Sequence, residues 1–157
     1  MLLTGKHTVN APINKIWSML MDPDVLARIT PAITSLVPID SDNFTAIADV
    51  KIGPIKGRFT GTLKISERVE PTNFNLGVQQ NSPIGNAAAL MAMTIKEISP
   101  EQTEVGFAGD VRLSGTLAVM GGRVLVPVAN MLSKMFFTDL QKEIDAADSN
   151  VQATSVA

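Results

Sequence analysis

The last third of the chain, from Gly115 to Ile144, is one long apolar segment, and it constrains the fold more than any other feature. Its apolar residues recur at spacings of three and four, which is the period of an amphipathic helix. They are Leu117, Met120, Gly121, Val124, Leu125, Val128, Met131, Leu132, Met135, Phe136, Leu140 and Ile144. A helix with so wide an apolar stripe needs a large apolar partner surface. If the two surfaces do not meet fully, the gap between them is an apolar cavity.

The segments before this helix alternate between apolar and polar residues, which predicts antiparallel strands that bury one face. A first strand ends near Asn10-Ala11-Pro12, and Pro12 fits the first turn of a short helix. Asp22-Pro23 begins a second short helix, because Asp is a good N-cap residue and Pro suits the next position. Further strands are expected at 35–39, 43–52, 57–69, 74–79, 86–98 and 105–113. The fold class is therefore α+β, with an antiparallel sheet covered on its apolar face by the last helix.

Length and composition favour one globular domain over residues 1–145, followed by a flexible tail over 146–157. The net charge is −2 and the chain has no basic run, so nucleic acid is not an expected partner. The chain contains no cysteine, which excludes disulfides and thiolate metal sites. No transmembrane segment is expected, because Arg123 and Asn130 interrupt the most apolar run.

The sequence contains little that could catalyse a reaction. His7 is the single histidine, and a lone histidine makes neither a catalytic triad nor a metal site. The carboxylates fall on the polar faces of the predicted strands, where they do not converge, and tyrosine is absent. We therefore expect a protein that is not an enzyme, with no catalytic residues, no metal site and no covalent cofactor.

Two features of the long helix have more than one interpretation. Gly121-Gly122 could allow close packing on the sheet, or could leave room for a ligand, since glycine within a helix costs about 1 kcal/mol relative to alanine. Pro127 removes a backbone donor and should kink the helix. That kink could serve curvature alone, or could act as a gate to the cavity.

Several motifs, taken in order, resemble those of a known family. They are Asn10-Ala11-Pro12, Ile16-Trp17, Met21-Asp22-Pro23, the run from Val50 to Gly57, Phe59-Thr60-Gly61, Gly115-Thr116-Leu117-Ala118, Gly121-Gly122-Arg123 and Phe136-Phe137. Over residues 1–145 the chain resembles the CoxG-like family, named for the CoxG subunit of carbon monoxide dehydrogenase, within the START-like, or SRPBCC, superfamily. The resemblance implies a helix-grip (Bet v 1-like) fold, with a curved sheet wrapped around the long C-terminal helix. One departure is the segment Thr30-Pro31-Ala32, where this family usually has Pro-Gly.

The resemblance also implies a function. The superfamily binds hydrophobic ligands in a tunnel under the long helix, and family members accompany molybdenum hydroxylases. We therefore expect a lipid-binding carrier for a lipophilic small molecule, with a quinone or another prenyl lipid as the best candidate. It would be an accessory protein of a molybdenum hydroxylase such as aerobic carbon monoxide dehydrogenase, cytoplasmic and able to lie at the inner membrane surface.

The expected ligand-binding residues come from the apolar faces of the strands and of the helix. They are Phe59, Leu63, Phe74, Leu76, Met91, Met93, Phe107, Val111, Gly121, Val124, Val128, Leu132 and Met135. One alternative is a module that matures the partner enzyme or recruits it to a membrane without carrying a ligand. Another is a cyclase or hydrolase, which would need buried acid and base groups that converge. An open apolar cavity would favour the carrier, and a tightly packed core would favour the module.

Overall fold

The computed structural model describes the backbone of residues 1–156 and the side chains of residues 1–148. A first strand is followed by two short helices, six more strands and one long helix. In chain order the elements are β1 (Leu2–Val9), α1 (Ile13–Leu20), α2 (Pro23–Ile29), β2 (Ile33–Pro38), β3 (Asn43–Ile52), β4 (Ile55–Val69), β5 (Asn73–Ser82), β6 (Gly85–Ser99), β7 (Gln102–Leu113) and α3 (Gly115–Val156). This order confirms the predicted α+β fold class and its helix-grip layout.

All the strands pair antiparallel in one seven-stranded sheet with the order β1-β7-β6-β5-β4-β3-β2. Strands β2 to β7 therefore form a meander, and β1 closes the far edge by pairing with β7. In that pair Gly5 lies opposite Phe107. A Cβ atom at Gly5 would lie 2.6 Å from the Phe107 ring, so glycine is needed there for the ring to cross the neighbouring strand. That packing places Phe107 over the inner face of the sheet.

The two short helices begin close to where the sequence predicts, with Pro12 as the N-cap of α1 instead of a residue of its first turn. Asp22 caps α2, because its Oδ1 atom accepts a hydrogen bond from the Asp24 N–H at 3.0 Å, and Pro23 takes the first helical position. Ile16, Trp17 and Leu20 form the buried face of α1. Arg28 on α2 donates from Nε to the Glu143 carboxylate of α3 at 2.7 Å. The short helices thus lie between the sheet and the C-terminal part of the long helix.

The break in the long helix lies at Gly121, whereas the sequence predicts a kink at Pro127. Gly121 has φ 69° and ψ −174°, and no other non-helical residue is found within the described length of α3. This region of dihedral space is open essentially only to glycine. Pro127 lies inside the helix and keeps helical dihedral angles. The helix therefore consists of a short segment before Gly121 and a long one after it.

The buried apolar residues form two clusters at opposite ends of the sheet. The first core cluster joins Ile16, Trp17 and Leu20 of α1 to Leu140 and Ile144 of α3, together with residues of α2 and of six strands. The second core cluster consists of Ile55, Phe59, Leu117 and Leu125. The long helix is therefore packed near its beginning and near its end.

The helix face that meets the sheet differs from the predicted stripe. The residues that face the sheet are Leu117, Leu125, Val128, Leu132, Phe136, Phe137, Leu140 and Ile144. Of the predicted stripe, Met131 and Met135 are instead 45% and 42% exposed, whereas Met120 packs against the second core cluster. Val119, which lies outside that stripe, is 86% exposed. The predicted stripe was too wide because apolar residues occur on most sides of this helix.

By length and composition alone, α3 could cross a membrane over Gly115–Asp148. Its inner face packs on the sheet, as expected of the core helix of a soluble-type fold. The side chains of 149–156 and all of residue 157 lie outside the described residues. The expectation of a flexible tail over 146–157, after a domain of residues 1–145, therefore stays a prediction.

Candidate ligand-binding cavity

Two apolar chambers lie between the inner face of the sheet and the middle of α3. The Phe59 chamber has a volume of about 400 Å³ and includes Ile55, Phe59, Leu113, Leu117 and Leu125 in its wall. The Phe74 chamber has a volume of about 380 Å³ and includes Phe74, Leu76, Met93, Phe107 and Phe137. Both volumes fall within the range of roughly 300–1,000 Å³ that is typical of small-molecule sites.

The two chambers adjoin each other through shared walls. The residues that line both are Leu3, Thr30, Pro31, Ile33, Leu63, Ala129 and Leu132. These residues come from β1, from the loop after α2, from β2, from β4 and from α3. We call the two chambers together the cavity.

Most of the residues expected to bind a ligand lie in its wall. Phe59, Val111 and Val128 line the Phe59 chamber, and Leu63 and Leu132 line both chambers. The expected residues that line the Phe74 chamber are Phe74, Leu76, Met91, Met93 and Phe107. Their contact with a ligand remains a prediction.

Three expected site residues are absent from the cavity wall that the structure describes. Gly121 lines neither chamber, and a Cβ atom placed on it would find no atom within 4 Å. Val124 also lines neither chamber, and Met135 is 42% exposed on the outer side of the helix. Val124 and Met135 both follow the break at Gly121, and they flank the helix face on which Leu125, Val128 and Leu132 lie, so the expected stripe was too wide. Gly121 is needed for its dihedral angles and not to spare volume.

The loop between α2 and β2 forms one border of the cavity. We call residues Thr30–Ile33 the mouth loop, and all four line the Phe59 chamber. Ala32 has a positive φ of 67°, and its carbonyl accepts a hydrogen bond from the Asp49 N–H at 2.9 Å. The sequence departure at Thr30-Pro31-Ala32 therefore lies in the wall of the cavity.

His7 is a titratable side chain that contacts two residues of the Phe74 chamber wall, Ser133 and Phe137. Its Nε2 atom lies 2.9 Å from the Ser133 hydroxyl, and its ring stacks on Phe137 with the two ring centroids 4.3 Å apart. Burial lowers the pKa of His7, because the surrounding apolar groups disfavour the imidazolium. These contacts give His7 a packing role, in which it holds the Ser133 hydroxyl in place.

Gln80 is the polar side chain that sequence reasoning missed. It lines the Phe59 chamber. Among the described side chains, its Nε2 atom is the one buried nitrogen or oxygen without a hydrogen-bond partner. The alternation Phe74, Leu76, Val78 could have found it, because the next residue in that phase is Gln80.

The charged groups of the sheet lie outside the cavity. On the outer face Arg58 donates to Asp49 at 2.9 Å, and this hydrogen bond lowers the pKa of the Asp49 carboxyl. The N-terminal ammonium donates to Asp110 at 2.9 Å, which likewise lowers the pKa of Asp110. Over the residues that the structure describes, no group of three or more His, Asp or Glu side chains could hold a metal ion. The site is built for burial of apolar surface.

Comparisons with known proteins identify the family of this chain and agree with its fold. The model of a family described as the CoxG subunit of carbon monoxide dehydrogenase matches residues 5–145. No curated protein sequence is significantly similar to the chain.

Several solved structures share the fold. A conserved protein from Geobacillus kaustophilus superposes with a TM-score of 0.90 at 26% identity, over 94% of this chain and 97% of that one. A START superfamily protein from Mycobacterium smegmatis gives a TM-score of 0.70 at 16% identity, over 93% and 98% of the two chains. The ZhuI aromatase/cyclase from Streptomyces sp. R1128 gives 0.68 at 14% identity, over 92% and 93%. The last two likenesses show the START-like fold alone.

Proposed function

Because the chain belongs to the CoxG family of carbon monoxide dehydrogenase proteins, we propose that it is a carrier that binds a lipophilic small molecule in the cavity. A quinone, or another prenyl lipid, is the ligand that this family membership favours. The carrier would serve a molybdenum hydroxylase such as aerobic carbon monoxide dehydrogenase. It would work in the cytoplasm and exchange its ligand at the inner face of the membrane.

The observation that carries the proposal is the apolar cavity under α3. A prenyl tail that removes about 400 Å² of apolar surface from water gains on the order of 10 kcal/mol before other terms. Association then costs about 4–15 kcal/mol, which offsets much or all of this gain, so the affinity is at most moderate. A moderate affinity suits a protein that must release its ligand.

The arrangement of polar groups favours carriage over catalysis. A cyclase or hydrolase needs an acid and a base placed together beside the substrate. Here His7 contacts a hydroxyl and an aromatic ring, and the charged pairs Arg58–Asp49 and Arg28–Glu143 lie on the surface. Among the described residues the cavity brings no titratable acid and base together, and we propose that the protein is not an enzyme.

Titration with 2-decyl-1,4-benzoquinone tests the carrier. Trp17 is a suitable reporter, because its ring lies 5.9 Å, centroid to centroid, from that of Phe74 in the cavity wall. We expect a change in Trp17 fluorescence and a rise in thermal stability. At a free ligand concentration of roughly a hundred times Kd, the gain in unfolding free energy is about 2.7 kcal/mol.

Two tryptophan substitutions on α3 supply the control. Leu132→Trp places a large ring where the two chambers join and should abolish binding. Met135→Trp changes the outer side of the same helix and should leave binding intact. Absence of any effect of the quinone on the wild-type protein would contradict the carrier. Equal binding by both variants would show that the ligand lies elsewhere.

A different observation favours the interaction module as a second candidate. The outer side of α3 exposes Val119, Met131 and Met135, and exposed apolar patches often mark docking sites. A module that recruits the enzyme to a membrane would use this face and would need no ligand. Flotation with vesicles of phosphatidylglycerol and phosphatidylethanolamine tests it. Membrane binding by the Leu132→Trp variant, together with loss by a Met131→Glu, Met135→Glu double variant, would support the module.

A further inference from the structure

Gln80 occupies an inward-facing position on β5, directly after the apolar inward-facing residues Phe74, Leu76 and Val78. Phe74 and Leu76 of β5 line the Phe74 chamber, and Val78 and Gln80 line the Phe59 chamber. An apolar residue at the fourth position would continue the pattern that a half-buried strand requires. The glutamine places an amide where the wall is otherwise almost wholly apolar.

The neighbouring strands give this amide no side-chain partner. Gln80 pairs with Gly61 on β4 and with Ala87 on β6, and neither residue has a polar side chain. Its Nε2 atom is buried and has no hydrogen-bond partner among the described residues. By contrast Gln79, the adjacent residue on the outer face, donates from Nε2 to Asn81 at 3.1 Å. A buried donor without an acceptor is costly, so an acceptor oxygen on the chamber's occupant would stabilise this amide.

The surroundings of Gln80 select the kind of acceptor. No lysine or arginine is among the described residues that line the Phe59 chamber, and Thr30 is the one other residue there with a polar side chain. Met1 also lines the chamber, but its ammonium is neutralised by Asp110 and donates to the Asp110 carboxylate and to the Val111 carbonyl at 2.9 Å each. A carboxylate would therefore be buried without a counter-charge, which is strongly unfavourable. A neutral oxygen has no such penalty.

We propose that Gln80 Nε2 donates a hydrogen bond to a neutral carbonyl oxygen of the bound molecule. The inference rests on the proposed carrier function and adds the substrate class, namely an apolar molecule whose carbonyl group lies in the Phe59 chamber. Its apolar remainder extends past Leu63 and Leu132 into the Phe74 chamber. Fatty-acid carboxylates of the same length are rejected. Gln80 is thus a specificity-determining residue of the site.

Three probes of equal chain length test this selection. They are 2-tridecanone, tridecane and tridecanoate, and each is measured by displacement of 1-anilinonaphthalene-8-sulfonate and by Trp17 fluorescence. We expect the ketone to bind and the carboxylate to bind far more weakly. The variants are Gln80→Leu, which keeps the size and removes the donor, and Gln79→Leu as the matched control on the outer face.

The expected result is a change in one ratio. A neutral hydrogen bond corresponds to about a two- to tenfold change in affinity. The ratio of the ketone Kd to the alkane Kd should therefore rise about two- to tenfold in Gln80→Leu and stay unchanged in Gln79→Leu. Without ligand, Gln80→Leu should also unfold at higher urea concentration than the wild type, because the unpaired buried amide is gone.

The outcomes separate this inference from the function on which it rests. If ketone and alkane both bind and the ratio of their Kd values is unchanged in Gln80→Leu, the amide does not contact the carbonyl. The carrier function would then still be supported. Tight binding of tridecanoate would overturn the selection for neutral oxygen. If none of the probes binds to the wild-type protein, the carrier function itself fails.

Discussion

Ala32 holds a backbone conformation that alanine seldom adopts. Its φ of 67° lies in the left-handed region, where a Cβ atom approaches the following carbonyl at a cost of roughly 1–2 kcal/mol. A hydrogen bond to the sheet holds this conformation, since the Ala32 carbonyl accepts from the Asp49 N–H on β3. Ala32 also occupies the position at which the family resemblance implies the glycine of a Pro-Gly pair. The departure noted in the sequence is therefore a site of backbone strain.

Replacing Ala32 with glycine should relieve that strain. We expect Ala32→Gly to raise the free energy of unfolding by about 0.5–1 kcal/mol, after the greater freedom of glycine in the unfolded chain is counted. Urea unfolding followed by Trp17 fluorescence measures the change. Ala92→Gly, at an exposed position within β6, is the control. It should lower the free energy of unfolding, because glycine raises the entropy of the unfolded chain and there is no backbone strain at this position to relieve. A loss of stability in both variants would show that Ala32 is unstrained.

At the scale of elements, the two adjacent glycines of α3 have different roles. Gly121 has dihedral angles that are essentially restricted to glycine, although the space around it is open. Gly122 has a helical neighbourhood, and a Cβ atom there would make an ordinary contact with Val126 at 3.8 Å. The break thus belongs to the first glycine alone.

This difference predicts opposite effects of one substitution at adjacent positions. Gly121→Ala should lower the free energy of unfolding by about 1–3 kcal/mol, because alanine is strained at those angles. Gly122→Ala should raise it by about 0.5 kcal/mol, because alanine favours the helix. Thermal and urea unfolding of both variants measure the pair. Equal effects would mean that the helix passes through Gly121 without a break.

The strands could be predicted closely and the helix register could not. Strand β3 begins at Asn43 and ends at Ile52, as the alternation predicts. Because one face of the sheet is buried, a shift of one residue would turn every apolar side chain of the strand towards solvent, so the alternation specifies which residues face inward. In α3 the apolar residues are too numerous to mark one face, so Met135 and Phe136 look equivalent in sequence although Met135 faces water. The break at Gly121 adds a change of direction that a constant period does not contain.

The same limits explain which site residues could be found. Phe59, Leu63, Phe74 and Leu76 follow from strand alternation, since the inward face of a strand is also the wall of the cavity. The mouth loop could not be found that way, because its approach to the cavity depends on how α2 packs on the sheet. Gln80 could have been found from the alternation of β5, but a polar residue at the end of an apolar series is easily taken for the start of a turn.

For the whole molecule, the cavity lies between the two core clusters. The first core cluster holds the end of α3 through Leu140 and Ile144, and the second holds its beginning through Leu117 and Leu125. Between them the helix passes over the two chambers, and Pro127 leaves the Arg123 carbonyl without its usual donor. The middle of the helix and the mouth loop are therefore the segments with least support.

Amide hydrogen exchange should show that local opening. We expect the amides of 29–36 and 120–128 to exchange faster than those of 137–144 in the protein without ligand. Addition of 2-decyl-1,4-benzoquinone should slow exchange in the first two segments and leave the third unchanged. Uniform protection along α3, with no response to the quinone, would show that the helix does not open near Pro127.

The pairing of β1 with β7 also dictates when this protein can fold during its synthesis. Val9 and Ala11 belong to a core cluster that also contains Val105, Leu140 and Ile144, which are translated much later. Contacts between distant parts of a chain form only after both parts are available. The nascent chain therefore exposes the apolar face of α1 until β7 and the residues of α3 up to Ile144 have been translated. A message that stops before the codon for Phe137 would yield a chain that cannot complete the first core cluster and is therefore prone to aggregation and degradation.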